Sequence, residues 1–168
     1  MLKDRFLSLK KGIVKALVTF GYVGFIPFFP GTIASFVTIA LIVAVNLIFS
    51  STGYAVALVF FSVSFVISLF VVDWGVKHIF GFSDPKQVVL DEVAGMSLSL
   101  VVIPFDWQLA NGFVYVLAFC CFRFFDILKP FPVSFFDERD GFFFVVLDDL
   151  VAAVLTWPFT FFAYQLLT

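Results

Sequence analysis

The chain has 168 residues, of which 62% are hydrophobic and only 13% charged, with a formal net charge of -2. A soluble domain carries about 25% charged residues, so water is excluded as the main solvent, and the acidic balance excludes a nucleic-acid partner of the basic-surface kind. Apolar runs about long enough to cross a hydrocarbon core recur along the chain, which predicts an all-α fold: one membrane-embedded helical bundle over residues 1–168, with about five transmembrane helices.

The chain opens on a basic segment, since Lys3, Arg5, Lys10, Lys11 and Lys15 hold five of the ten basic residues. Leu2, Phe6, Leu9, Ile13 and Leu17 recur among them at spacings of three and four, the pattern of an amphipathic helix lying on a membrane surface. Pro27 and Pro30 interrupt the apolar stretch that follows and no small-residue cleavage site is written there, so the segment is expected to be retained rather than cleaved as a signal peptide. Residues 1–29 thus read as an interfacial or re-entrant N-terminal segment. Spans are then predicted near 33–49, 54–72, 88–103, 110–125 and 142–167, with short turns at 50–53 and 104–107.

Basic residues favour the cytoplasmic side of short loops. With a cytoplasmic N-terminus, five spans leave residues 50–53 and 104–109 outside and residues 73–87 and 126–141 inside. Every lysine and arginine then falls at the inner face, and Asp106 is the one acidic residue left outside. The expected location is a bacterial cytoplasmic membrane, with the working face turned inward.

That topology gathers distant polar groups at the inner face: Pro30-Gly31-Thr32 with Ser35 before span one, Asp91-Glu92 early in span three, Arg123, Asp126 and Lys129 ending span four, and Asp148-Asp149 early in span five. Carboxylates within spans are costly and too short to snorkel far, so such a set points to function. Five carboxylates face two cations, which calls for protons or a cation to neutralise them. Oxygen donors without His or Cys suit a hard ion, Mg²⁺ before Ca²⁺, with Asp91, Glu92, Asp148 and Asp149 as candidate ligands. Arg123 and Asp126 share a helix face and Lys129 follows before Pro130, presenting a forked phosphate donor, a carboxylate and a point charge together. Thr32 is expected to cap the first span, whose open amides form a weak anion site. Asp84-Pro85-Lys86 reads as a turn, His78 as a loop histidine without a partner, and the adjacent Cys120 and Cys121 as packing residues unable to form an unstrained disulfide.

In order, Pro30-Gly31-Thr32 with Ser35, Asp84-Pro85 leading to Asp91-Glu92-Val93-Ala94-Gly95, Arg123-x-x-Asp126-x-x-Lys129-Pro130-x-Pro132 with Asp137, and Asp148-Asp149 make the chain resemble the phosphatidylglycerophosphatase A family from about Gly21 to Ala153. The chain departs from that pattern at Ala34, Lys86 and Ala153, where glycine is usual, and at Phe142–Leu147. The resemblance implies Mg²⁺-dependent hydrolysis of phosphatidylglycerophosphate to phosphatidylglycerol and phosphate. In that reading Asp91, Glu92, Asp126 and Asp149 are catalytic, Asp91, Glu92, Asp148 and Asp149 bind metal, and Thr32, Arg123 and Lys129 hold the substrate phosphate. The partners are then a membrane phospholipid and the bilayer. The competing readings are a phosphatase of another lipid phosphate, such as a polyprenyl phosphate, and a small cation-coupled transporter.

Overall fold

In the computed structural model, residues 2–49, 53–80, 86–104, 109–139 and 141–167 are described. Helices account for nearly all of them, and no strand occurs among them. The helices are α1 Leu2–Val18, α2 Pro30–Phe49, α3 Gly53–Ile67, α4 Asp73–Gly75, α5 Leu90–Leu100, α6 Leu109–Leu128, α7 Val133–Asp137 and α8 Phe142–Leu167. Most of the two expected turns at 50–53 and 104–107, as well as Asp84-Pro85 and Asp106, lies outside the described residues.

Among the described residues, three stretches are long and apolar enough to cross a membrane: Pro30–Phe49, Tyr54–Val72 and Phe143–Leu167. The second runs from α3 into the wider π-helical turn Ser68–Val72. The third expected span differs. Helix α5 has 11 residues, a length of about 16 Å at 1.5 Å per residue, roughly half a hydrocarbon core. Nine of those residues are buried, because α5 packs against α2, α3, α6 and α8. It is apolar because it is the centre of the bundle, and lipid exposure is not required to explain its sequence.

Two clusters hold the bundle. The larger joins Ile42 of α2, Ala57 of α3, Met96 and Leu100 of α5, Phe122 of α6 and Ala152 of α8. Trp157 Nε1 of α8 also donates to the Leu98 carbonyl of α5 at 3.0 Å. The second joins Val14 and Val18 of α1 to Val72, Val89, Leu90 and Val93. The Val89 N–H donates to the Val18 carbonyl at 3.0 Å, hanging the start of α5 from the end of α1.

Helix α1 has the amphipathic character expected, divided differently. Val14 and Val18 face the bundle, whereas Phe6, Leu9, Ile13 and Leu17 are exposed. Cys120 is exposed and Cys121 half-buried, both as free thiols, so no disulfide joins them and Cys120 packs less closely than Cys121. His78 belongs to a π-helical turn, Val76–Phe80, and stacks on Trp74 with ring centroids 4.6 Å apart.

Candidate active site

The polar groups singled out in the sequence meet in one cavity of about 360 Å³. Its walls include Gly31 and Thr32 of α2, Asp91 and Glu92 of α5, Arg123 and Asp126 of α6, Lys129 just beyond it, and Asp148 and Asp149 of α8. Helices α2, α5 and α8 start at this end and α6 finishes there, so their alternating directions produce the convergence.

Asp91, Glu92 and Asp149 are the tightest group. One carboxylate oxygen of each lies within 4.8 Å of the others. Among the described residues Glu92 Oε2 is buried and finds no hydrogen-bond donor, which is costly for a carboxylate unless a cation or proton meets it. The approach of Glu92 to α2 depends on Gly31. A Cβ on that residue would occupy the position of the Glu92 carboxylate. Gly95 plays the same part between α5, α6 and α8, because a Cβ there would meet the Phe122 ring at 2.8 Å and the Asp149 carbonyl at 3.0 Å. The departures at Ala34 and Ala153 are accommodated, since both methyl groups are fully buried in the two cores.

Asp148 stands apart from the three-carboxylate group. Its Oδ2 accepts from Lys129 Nζ at 2.6 Å, and its Oδ1 accepts the Asp149 N–H at 2.9 Å. Lys129 also pairs with Asp137 of α7. Burial draws the Lys129 ammonium downward in pKa, but its hydrogen bonds and charge pairing with Asp137 and Asp148 outweigh that and hold it above the usual lysine range. Lys129 adopts a left-handed backbone with φ of 45°, a conformation that costs a non-glycine residue about 1 kcal/mol or more. It ends α6 and turns the side chain toward the two aspartates.

Arg123 Nη1 lies 2.7 Å from Asp126 Oδ2, with both side chains largely buried. The pair is not aligned as a hydrogen bond, and Arg123 Nε and Nη1 retain donor capacity beside the cavity. Thr32 lines the wall, yet it is not a cap: Pro30 already begins the helix, as proline does well at a first helical position. Thr32 therefore belongs to the first turn, whose amides have no intrahelical acceptor.

Sequence reasoning missed Lys86. The turn expected there is observed at Lys86, and from it the residue, exposed, also lines the cavity. Its placement five residues before Asp91, in the same inner segment, was the available signal. Phe29, Val88, Ile127 and Val145 supply apolar wall around the polar groups.

The family model described as Phosphatidylglycerophosphatase A matches residues 16–164. The chain belongs to the phosphatidylglycerophosphatase A family. Among relatives, a Haemophilus influenzae protein named phosphatidylglycerophosphatase A is 34% identical over 111 residues, 64% of each chain. An Escherichia coli protein of the same name is 38% identical over 79 residues, 45% of this chain and 42% of that one. A Bacteroides thetaiotaomicron protein, named as a candidate phosphatidylinositol-3-phosphatase, is 32% identical over 141 residues, 80% of this chain and 82% of that one. The chain thus spans less than two thirds of the length of the two phosphatidylglycerophosphatase A relatives. No solved structure matches it.

Proposed function

We propose that this phosphatidylglycerophosphatase A family member is a Mg²⁺-dependent lipid phosphatase that hydrolyses phosphatidylglycerophosphate to phosphatidylglycerol and phosphate at the cytoplasmic face of a bacterial inner membrane. The observation that carries this reading is the meeting of Asp91, Glu92 and Asp149 with Arg123 in one cavity at one end of an apolar bundle. The names of the two phosphatidylglycerophosphatase A relatives favour phosphatidylglycerophosphate over other lipid phosphates.

The donor set fits Mg²⁺. All three groups are carboxylates, hard oxygen donors suited to a small divalent ion, and the orphaned Glu92 Oε2 offers an unused acceptor. A bound Mg²⁺ supplies neutralising charge and polarises phosphate oxygens. Asp91, Glu92 and Asp149 would hold it, whereas Asp148, engaged by Lys129, orients Asp149 through the backbone amide. Arg123, steadied by Asp126, would bind the terminal phosphate through its planar fork. Water oxygen attacks phosphorus, the bond to the glycerol oxygen breaks, and a cavity carboxylate takes the water proton. A proton delivered to the departing oxygen completes the free hydroxyl of the product.

Five passes of the bundle, with α5 as a short buried pass and α6 returning to the cavity end, agree with this arrangement. The basic helix α1 is tied to that same end through Val18 and Val89, which favours a cytoplasmic cavity by the positive-inside rule. The exposed Phe6, Leu9 and Ile13 of α1 suit the bilayer surface. Transport is less well supported. Buried Thr38, Ser97, Thr156 and Thr160 spend their hydroxyls on carbonyls of their own helices, and no second metal-competent acidic group occurs among the described residues.

The test is phosphate release by purified protein from phosphatidylglycerophosphate, phosphatidic acid and a polyprenyl phosphate, with Mg²⁺ and with excess chelator. Preferred, Mg²⁺-dependent release from phosphatidylglycerophosphate is expected. Preference for the polyprenyl phosphate would overturn the substrate, and full activity in chelator would overturn the metal.

A further inference from the structure

We propose that Lys86, standing where the family usually has glycine, adds headgroup selectivity in this chain by engaging the second, internal phosphate of the lipid, an inference that rests on the phosphatase reading above. The cations lining the cavity are Arg123, Lys129 and Lys86. Lys129 is engaged by Asp137 and Asp148, and Arg123 is held beside Asp126 next to the carboxylate group. Lys86 is exposed at the rim and takes part in no ion pair among the described residues. Among the described residues its ammonium is therefore the cavity-lining cation with no carboxylate partner.

The chemistry of the substrate assigns that charge a ligand. The terminal monoester must reach the buried carboxylates and Arg123, because the reacting phosphorus has to meet them. The acyl chains must stay in the bilayer. The internal diester lies between these two ends, which puts its single negative charge at the cavity mouth, where Lys86 stands. Phosphatidic acid has one phosphate, joined directly to the diacylglycerol, and leaves Lys86 without a partner once that phosphate is inside. Lys86 thus favours lipid headgroups that carry a monoester beyond a diester.

The experiment measures kcat and KM for phosphatidylglycerophosphate and phosphatidic acid of matched chains in mixed micelles, for the wild type and for Lys86→Ala, Lys86→Arg and Lys86→Glu. The expected result is that Lys86→Ala lowers the preference for phosphatidylglycerophosphate about twofold to fivefold, the effect of one solvent-exposed charge contact, and does so through KM. Lys86→Arg retains the preference and Lys86→Glu loses more of it. Raising salt should erode the preference in the wild type and much less in Lys86→Ala, since exposed pairs are screened. Equal losses on both lipids, or an unchanged preference in Lys86→Ala, would overturn the role of Lys86 while leaving the phosphatase reading intact. A wild type that hydrolyses neither lipid would instead overturn that underlying reading and the proposal with it.

Discussion

Lys129 Nζ donates to Asp148 Oδ2 at 2.6 Å, and through Asp148 it reaches the backbone of Asp149, a member of the convergent carboxylate group. A lysine that reads in the sequence as a phosphate ligand is thus bound to two aspartates on α7 and α8. Its charge braces the end of α6 against α8, and in the proposed reaction phosphate binding would fall more heavily on Arg123.

Removing that brace should act on turnover more than on affinity. Lys129→Ala is expected to lower kcat at least tenfold with a smaller change in KM, and to cost about 1–3 kcal/mol of stability by leaving buried Asp148 unpaired. Steady-state kinetics beside thermal unfolding in detergent checks both. A rise in KM with kcat unchanged would return Lys129 to direct phosphate binding.

Arg123→Lys keeps the charge and discards the fork. The expected loss is roughly tenfold to a hundredfold in kcat/KM, more than charge conservation suggests, because bidentate contact to phosphate is lost and the close ion pair with Asp126 is weakened. Inhibition by inorganic phosphate should weaken in parallel, and unaltered inhibition would remove Arg123 from the phosphate site.

Metal binding should appear as stability. Asp91, Glu92 and Asp149 would repel one another when ionised at the distances observed, so Mg²⁺ is expected to raise the melting temperature of the wild type. Asp149→Asn should remove most of that response and, by relieving repulsion, unfold at a higher temperature than wild type in chelator. Thermal shift with a Mg²⁺ series decides this without any lipid present.

Three glycine substitutions separate close approach from mere helix propensity. Gly12 has open space around its Cβ position, so Gly12→Ala should be neutral or stabilise α1 by up to about 1 kcal/mol. Gly31→Ala should displace Glu92 and abolish most activity with the bundle intact. Gly95→Ala should destabilise the fold by about 1–3 kcal/mol, as overpacking does, because its neighbours are a buried ring and a backbone carbonyl. Activity and unfolding measured on all three variants test the ordering.

Topology is checked with single cysteines introduced at positions 86 and 137 after Cys120 and Cys121 are replaced by serine. Neither should react with an impermeant reagent from outside intact cells. Labelling of either would place the cavity on the other face.

Much of this was written along the chain. Composition dictates a helical membrane protein, and alternation of apolar runs with basic segments places Gly31, Asp91, Arg123 and Asp149 at one end, because a helix that crosses a bundle must return. Local pattern could not show that α5 is short. A helix wrapped by four others and one bathed in lipid have the same apolar composition. Nor could it divide the carboxylates. Asp148 and Asp149 are neighbours in sequence, but about 100° of helical rotation sends the first to Lys129 and the second to Asp91 and Glu92. Which cation is paired with a carboxylate is also a tertiary matter: Lys129 meets Asp137 and Asp148 only after α7 and α8 fold back beside α6, whereas Lys86 has no ion pair among the described residues.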